Sequence, residues 1–130
     1  MPRATSPFTV GDAEEHELAE RDPGVHYARV RLDKTFGGDL EGSSSVEMLS
    51  VRHESQGAGY VAVERIAGTL HGRPGSFALL HLATMSNDGQ SGQWVVVPGS
   101  GAGDLTGISG QARIEIDNGA HTFVLDYEVG

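Results

Sequence analysis

Apolar and polar residues alternate along most of the chain with a period of two. In HYARVRLDKTF (26–36), for example, Ala28, Val30, Leu32 and Phe36 alternate with polar or aromatic neighbours. This period places successive side chains on opposite faces of a β-strand. The same pattern, bounded by glycine or turn clusters, predicts eight strands in the chain. They cover residues 6–11, 26–36, 40–53, 60–70, 75–85, 92–97, 111–117 and 121–129.

The connections between these segments are short and rich in turn residues. Gly37-Gly38 follows the second segment, and Asn118-Gly119 is a strong hairpin signal between the last two. Without helical periodicity between them, the segments predict an antiparallel sheet, closed as a barrel or stacked as a sandwich. Two segments do not show this strand pattern. AEEHELAERD (13–22) is compatible with a helix or an exposed loop, and PGSGAGDLTGISG (98–110) is a glycine-rich connection with one possible helical turn at 104–107.

The segment from Val63 to Met85 predicts a hairpin whose two arms carry a glutamate and a histidine. A turn centred on Gly72-Arg73 places Glu64 opposite His81 and Gly68 opposite Phe77, and a shift by two residues leaves the faces unchanged. We therefore expect Glu64 and His81 to share one face of the sheet. The other residues expected on that face are Tyr60, Ile66, Phe77, Leu79 and Met85.

The opposite face of the same hairpin is also apolar, with Val61, Val63, Leu80 and Leu82. Antiparallel sheets commonly expose one face to water, so an apolar second face indicates a covering element, most simply a neighbouring subunit. We expect a homo-oligomer. The pattern leaves open which of the two faces lines the interior.

Composition and charge restrict the class of protein. The 130 residues are enough for a single domain, 1–130, with its own core, and 19 glycines suit strand bends and turns. The absence of cysteine excludes disulfides and thiol chemistry. The net charge of −9 argues against nucleic acid and anionic membranes as partners. With no apolar membrane span and no apolar signal core at the start, we expect a cytoplasmic protein.

Glu64 and His81 are the main candidates for chemistry. In an interior cavity, a carboxylate fixes the tautomer of an imidazole and raises its proton affinity, which gives a general acid–base pair. Glu47 could join them, since it alternates with Ser43 and Ser45 in the preceding strand. The alternative is a buried contact that only satisfies two polar groups.

Three aromatic residues are candidate ligand contacts. Trp94 could form one wall of a pocket or anchor the core, and Tyr60 and Tyr127 could polarise a substrate oxygen or pack at a barrel end. Other chemistries lack their motifs. GSGAGDLTG has no P-loop lysine, the six histidines show no HExxH spacing, and Ser109 does not complete GxSxG. We expect no metal and no cofactor.

Four stretches resemble a group of small bacterial proteins of unknown function. They are KTFGGDLEGSSSVE, VERIAGTLHGRPGSFALLH, GQWVVVPGSGAGDLTGISG and FVLDYE, and the resemblance spans residues 5–128. The matching positions are Lys34, Phe36, Asp39, Glu41, Gly42, Glu64, Gly68, Gly72, Phe77, His81, Trp94, Pro98, Gly99, Gly101, Leu105, Asp126 and Tyr127. That group is similar in fold to allene oxide cyclase, a cofactor-free isomerase that closes a ring inside an apolar barrel.

The resemblance implies a lipocalin-like closed barrel and a cofactor-independent isomerisation or cyclisation of a hydrophobic small molecule, such as a natural-product intermediate. The cyclase's catalytic residues do not transfer position by position, and Glu64 is the nearest candidate for its carboxylate. The acidic segment 13–22 departs from the group, which puts the form of the cavity mouth in doubt.

The sequence thus predicts an all-β, eight-stranded antiparallel barrel around an apolar pocket. Glu64 is expected to be the base or electrostatic stabiliser and His81 its partner acid. The residues expected to bind substrate are Glu47, Tyr60, Ile66, Phe77, Leu79, Met85, Trp94 and Tyr127. Two alternatives stay open: a carrier or sensor that binds without chemistry, and an interaction module whose barrel is filled by side chains.

Overall fold

Nine antiparallel strands make up the computed structural model, which describes residues 2–18 and 22–130. The strands are β1 (Arg3–Glu17), β2 (Val25–Phe36), β3 (Leu40–His53), β4 (Gly57–Leu70), β5 (Arg73–Ser86), β6 (Gly89–Val96), β7 (Ala102–Gly103), β8 (Ile108–Asp117) and β9 (Ala120–Val129). No helix in these two ranges is long and apolar enough to cross a membrane.

Eight of the strands pair in a closed ring. Each strand from β1 to β5 pairs with the next one along the chain, β6 pairs with β8, β8 with β9, and β9 returns to β1. The two-residue strand β7 pairs with β5 and lies in the glycine-rich connection. The predicted all-β antiparallel architecture is therefore confirmed, with one more strand than the eight predicted.

The acidic segment was predicted wrongly as a helix or loop. Residues 13–17 continue β1 and pair with β2, following a register shift between Val10 and Ala13. Such a bulge interrupts the alternation along a strand, and the exposed acidic side chains carry no strand signal of their own. Residues 19–21 of the segment lie outside the described residues.

The β4–β5 turn has a different register from the predicted one. His71 and Gly72 form a two-residue loop with φ of 46° and 81°, so that Leu70 pairs with Arg73. Two successive positive φ angles are those of a type I′ hairpin turn. Every predicted partner therefore shifts by two, and the predicted Phe77–Gly68 and Glu64–His81 cross-strand pairs are wrong.

A shift of two preserves the faces, so Glu64 and His81 do lie on the same side of the sheet. This side is the interior of the ring. Ile66, Leu79 and Phe77 are at most 1% exposed, whereas the residues between them on each strand point outward. The structure thus identifies the lining face, which the alternation alone had left open. The Asn118-Gly119 hairpin is confirmed, with φ of 51° and 80°.

The ring is closed more completely at one end than at the other. In the closed half, buried side chains including Leu40, Leu70, Leu105 and Leu125 fill the interior. Towards the other end, the described part of β6 pairs with β8 only at Trp94–Ala112 and Val95–Gln111. Beyond this point β1 to β6 continue as a sheet, and several of its interior side chains, such as Met48, Tyr60 and Trp94, are only partly buried. We call this part the open half; its interior residues are Ala28, Val30, Met48, Tyr60, Ala62, His81 and Trp94.

Candidate functional site

A buried carboxylate lies where the closed half meets the open half. Glu64 on β4 is 1% exposed and contacts three side chains from neighbouring strands. Ser44 Oγ donates to Glu64 Oε2 at 2.5 Å, and Lys34 Nζ donates to Oε1 at 3.3 Å. His81 Nε2 lies 2.8 Å from the same Oε1. All four residues occupy interior positions of consecutive strands β2 to β5, and we call them the glutamate network.

Lys34 and Ser44 were not predicted as site residues. Lys34 is 8% exposed, and its ammonium lies 4.8 Å from the centroid of the Phe8 ring, within cation–π range. One signal was present in the sequence: Lys34 takes an interior position of β2, two residues before the buried Phe36. A charged residue on the apolar face of a strand indicates a buried partner, but the partner's identity depends on the strand register.

The network keeps Glu64 ionised. Burial alone would raise the pKa of the Glu64 carboxyl, but the contact with His81, the charge of Lys34 and the Ser44 hydroxyl outweigh it. The pKa of Glu64 therefore lies below its ordinary value. At neutral pH the ring interior contains a carboxylate paired with a cation, as buried charges in proteins generally require.

His81 connects this network to two aromatic side chains at the base of the open half. Its imidazole meets Tyr60 and Trp94 edge-to-face, with ring centroids 6.4 and 6.1 Å away. We call Tyr60, His81 and Trp94 the aromatic cluster. Tyr60 and Trp94 are only partly buried, while His81 is 4% exposed. Burial raises the pKa of the Tyr60 hydroxyl, so it is protonated at neutral pH and can donate a hydrogen bond.

Two nitrogens of this cluster lack a well-formed hydrogen bond. Among the described residues, His81 Nε2 and Trp94 Nε1 are the buried side-chain nitrogens or oxygens without a partner in hydrogen-bonding geometry. The 2.8 Å approach of His81 Nε2 to Glu64 is thus a short polar contact that is poorly aligned. Buried polar groups are nearly always satisfied, so two exceptions in one cluster require a physical reason.

Several residues predicted to bind substrate lie elsewhere in the interior. Ile66, Phe77 and Leu79 face inward as expected, but they are fully buried in the core of the closed half. Tyr127 is also in that core, and its hydroxyl lies 2.5 Å from His71 Nδ1 in the β4–β5 turn. These four residues belong to the packed core of the closed half.

Two other predicted contacts lie outside the core: Glu47 is on the opposite face from the predicted one, and Met85 is on the predicted face but exposed. The Glu47 side chain is 60% exposed, points outward and pairs with Arg31 at 3.4 Å. Its neighbours Ser44 and Val46 are the buried residues of β3, so Glu47 falls on the outer face of the alternation. Met85 shares the predicted face but is 42% exposed, because it lies near the end of β5, past the part of the sheet that encloses the core.

Within residues 2–18 and 22–130, no three histidine, aspartate or glutamate side chains come together in a way that could hold a metal ion. The arrangement at Glu64 suits a different chemistry. A buried carboxylate lies 2.8 Å from an imidazole that two partly buried aromatic rings flank, and a carboxylate beside an imidazole is the arrangement of a general acid–base pair.

Comparisons with known proteins agree with the observed fold. The family model described as "Protein of unknown function (DUF3224)" matches residues 4–127. The crystal structure of a protein of unknown function from this family, from Shewanella oneidensis MR-1, shares 39% sequence identity with a TM-score of 0.84. The alignment covers 100% of this chain and 98% of that one. No curated protein matches the sequence. The resemblance to small proteins of unknown function is thereby confirmed, and the chain belongs to the DUF3224 family.

Proposed function

We propose that the open half of the ring binds an apolar small molecule, and that His81, oriented by Glu64, catalyses its cofactor-independent isomerisation or cyclisation. The observation that carries this proposal is the buried Trp94 Nε1, which has no partner in hydrogen-bonding geometry and lies beside the imidazole that Glu64 contacts at 2.8 Å. A ligand oxygen beside Trp94 would accept the hydrogen bond from Nε1 for which the described residues provide no acceptor in good geometry.

The glutamate network supports separate roles for its members. The oxygens of Glu64 already contact Ser44, Lys34 and His81, and its lowered pKa makes it a weak base. Glu64 therefore acts as a positioning residue and electrostatic stabiliser, and proton transfer falls to the His81 imidazole. In apo structures catalytic hydrogen bonds are often poorly aligned and improve when substrate binds, which fits the geometry at His81.

The site favours a particular class of ligand. Tyr60, Trp94, Met48 and Ala62 present mainly apolar surface to the open half, while Trp94 Nε1 and the Tyr60 hydroxyl supply donors. The carboxylate of Glu64 would repel an anion. We infer a neutral apolar molecule with a carbonyl or ether oxygen. A proton removed from one carbon by His81 and returned to another changes neither the atoms nor the electrons of such a molecule, so no redox partner is needed.

We also propose that the ring of strands is a barrel of the allene oxide cyclase kind. The closing β4–β5 and β1–β9 pairings support this, as does the apolar interior, in which Glu64 is the one buried carboxylate among the described residues. In such barrels, restraint of a flexible chain in one conformation supplies much of the rate, and acid–base help contributes about 10²–10⁴-fold. The proposed location of this chemistry is the cytoplasm.

A carrier without chemistry is the second candidate. It is favoured by one observation: every oxygen of Glu64 is already engaged within the protein, as expected of a structural ion pair. The carrier and the enzyme differ in the fate of the ligand, because a carrier returns it unchanged.

The test begins with a thermal-shift screen of neutral ketones, lactones and polyenes, and continues with turnover of each stabilising compound. Wild type and His16→Gln, an exposed histidine outside the site, should convert it, while His81→Gln should be slower by about 100-fold or more. A melting curve checks that His81→Gln folds. Ligand recovered unchanged from wild type would favour the carrier, and equal turnover by His81→Gln would remove His81 from the mechanism.

A further inference from the structure

The outer face of the central strands is as apolar as a protein interior. Leu49, Val61, Val63, Leu80, Leu82 and Val95 all point away from the ring and are 43–51% exposed. We call these six residues the outer patch. They form two adjacent ladders across β3 to β6, in which Leu49 pairs with Val61 and Val61 with Leu82, while Val63 pairs with Leu80 and Leu80 with Val95.

The rest of the ring does not share this composition. The outward positions of β8 carry Gln111, Arg113 and Glu115, all exposed and polar. The solvent-exposed face of an antiparallel sheet normally carries polar side chains, as the outer face of β8 does. Strands with aliphatic residues on both faces are typical of sheets covered on both sides, so the outer patch requires a covering surface that the single chain does not supply.

We propose that a second copy of this chain packs face-to-face on the outer patch. The six side chains leave on the order of 500 Å² of apolar surface exposed, comparable with the largest patch on a typical monomer. Together with the flanking residues, that area approaches the roughly 800 Å² per partner of a stable interface. Interfaces between identical subunits are the more apolar class, whereas transient partners meet on surfaces of average polarity.

The edge of the patch is compatible with a two-fold arrangement. Arg31 and Glu47 form an outward ion pair at 3.4 Å beside the ladders. Glu47 and Arg29 both line a groove of about 780 Å³ over the outer patch. Because both signs of charge occur at one edge, Glu47 of a second copy can approach Arg29 or Arg31. The chain's net charge of −9 argues against an anionic membrane as the occupant.

The proposal is tested by sedimentation velocity on the full chain. Wild type at about 100 μM should sediment as a dimer. Leu80→Glu and Leu82→Lys each place a charge in the centre of the patch and should weaken association at least about 10-fold, because that charge would be desolvated. Leu80→Glu adds a negative charge and Leu82→Lys a positive one, so weaker association in both variants would exclude a change of net charge as the cause. The matched control is Gln111→Glu on the polar outer face of β8, which should leave the dimer unchanged.

Circular dichroism and melting curves show whether each variant is folded, and folding is expected because both side chains are about half exposed in the wild type. A monomeric wild type at this concentration would overturn the proposal. So would a wild-type dimer that persists in both Leu80→Glu and Leu82→Lys, since the interface would then lie on another surface.

Discussion

At the scale of single residues, the buried ion pair between Glu64 and Lys34 makes the sharpest prediction. Glu64→Gln leaves the Lys34 ammonium buried without its partner, and we expect a loss of about 3–5 kcal/mol in the free energy of unfolding. Lys34→Met should cost a similar amount, and the double variant less than the sum, because the two side chains interact directly. Urea unfolding measures all three variants.

Glu47→Gln is the matched control for this series. It also removes a glutamate from an ion pair, but that pair is exposed, so the expected loss is below about 1 kcal/mol. If Glu64→Gln cost no more than Glu47→Gln, the glutamate network would not be the buried, charged assembly described above.

The lowered pKa of Glu64 also predicts a pH dependence. The folded carboxyl loses its proton more readily than the unfolded one, whose reference pKa is 4.5. Its contribution to stability is therefore fully present above that pH and is lost as the pH falls through the lower, folded value. The difference in melting temperature between wild type and Glu64→Gln should stay constant from pH 7 to about pH 5 and shrink in more acidic solution. A difference that did not change with pH would mean that Glu64 is not ionised in the fold.

At the scale of strands, two glycines allow β3 and β4 to approach closely. Gly42 and Gly68 pair directly, and a Cβ atom at either position would clash with a backbone carbonyl, that of Ala67 or Glu41 respectively. Gly68→Ala should therefore destabilise the protein by about 1–3 kcal/mol, because the obstacle is backbone and cannot rotate away.

The control for this prediction is Gly37→Ala in the β2–β3 connection, where an added Cβ meets nothing within 4 Å. Its effect on urea unfolding should be small. If both substitutions destabilised the protein equally, the loss of stability would come from replacing any glycine by alanine and not from the close approach of β3 and β4.

The strands also show what local pattern can and cannot determine. The bounds of β3 agree with the alternation, and the shared face of Glu64 and His81 follows from a period of two, which survives a register shift of two. The pairing itself depends on the turn. His71 adopts the left-handed conformation that asparagine or glycine usually takes, so a two-residue loop at His71-Gly72 has no strong signal in the sequence.

At the scale of the whole molecule, the ring closure and the two halves depend on pairings between strands far apart in sequence, such as β1 with β9. Lys34 and Ser44 reach Glu64 only because β2, β3 and β4 are in one particular register. The apolar side chains Ile66, Phe77 and Leu79 lie on the predicted face, yet their place in the closed half depends on where the strands end. The candidate pair could thus be predicted from the sequence, but its surroundings could not.

The central claim is that the open half receives a neutral apolar ligand at the aromatic cluster. The most direct measurement is the fluorescence of Trp94, the chain's one tryptophan, during titration with a long-chain methyl ketone and with the alkane of equal length. We predict a saturable change with the ketone and binding several-fold weaker for the alkane, since the lost hydrogen bond is worth about 0.5–1.5 kcal/mol. A tryptophan signal unchanged by either compound, while the protein remains folded, would contradict the claim.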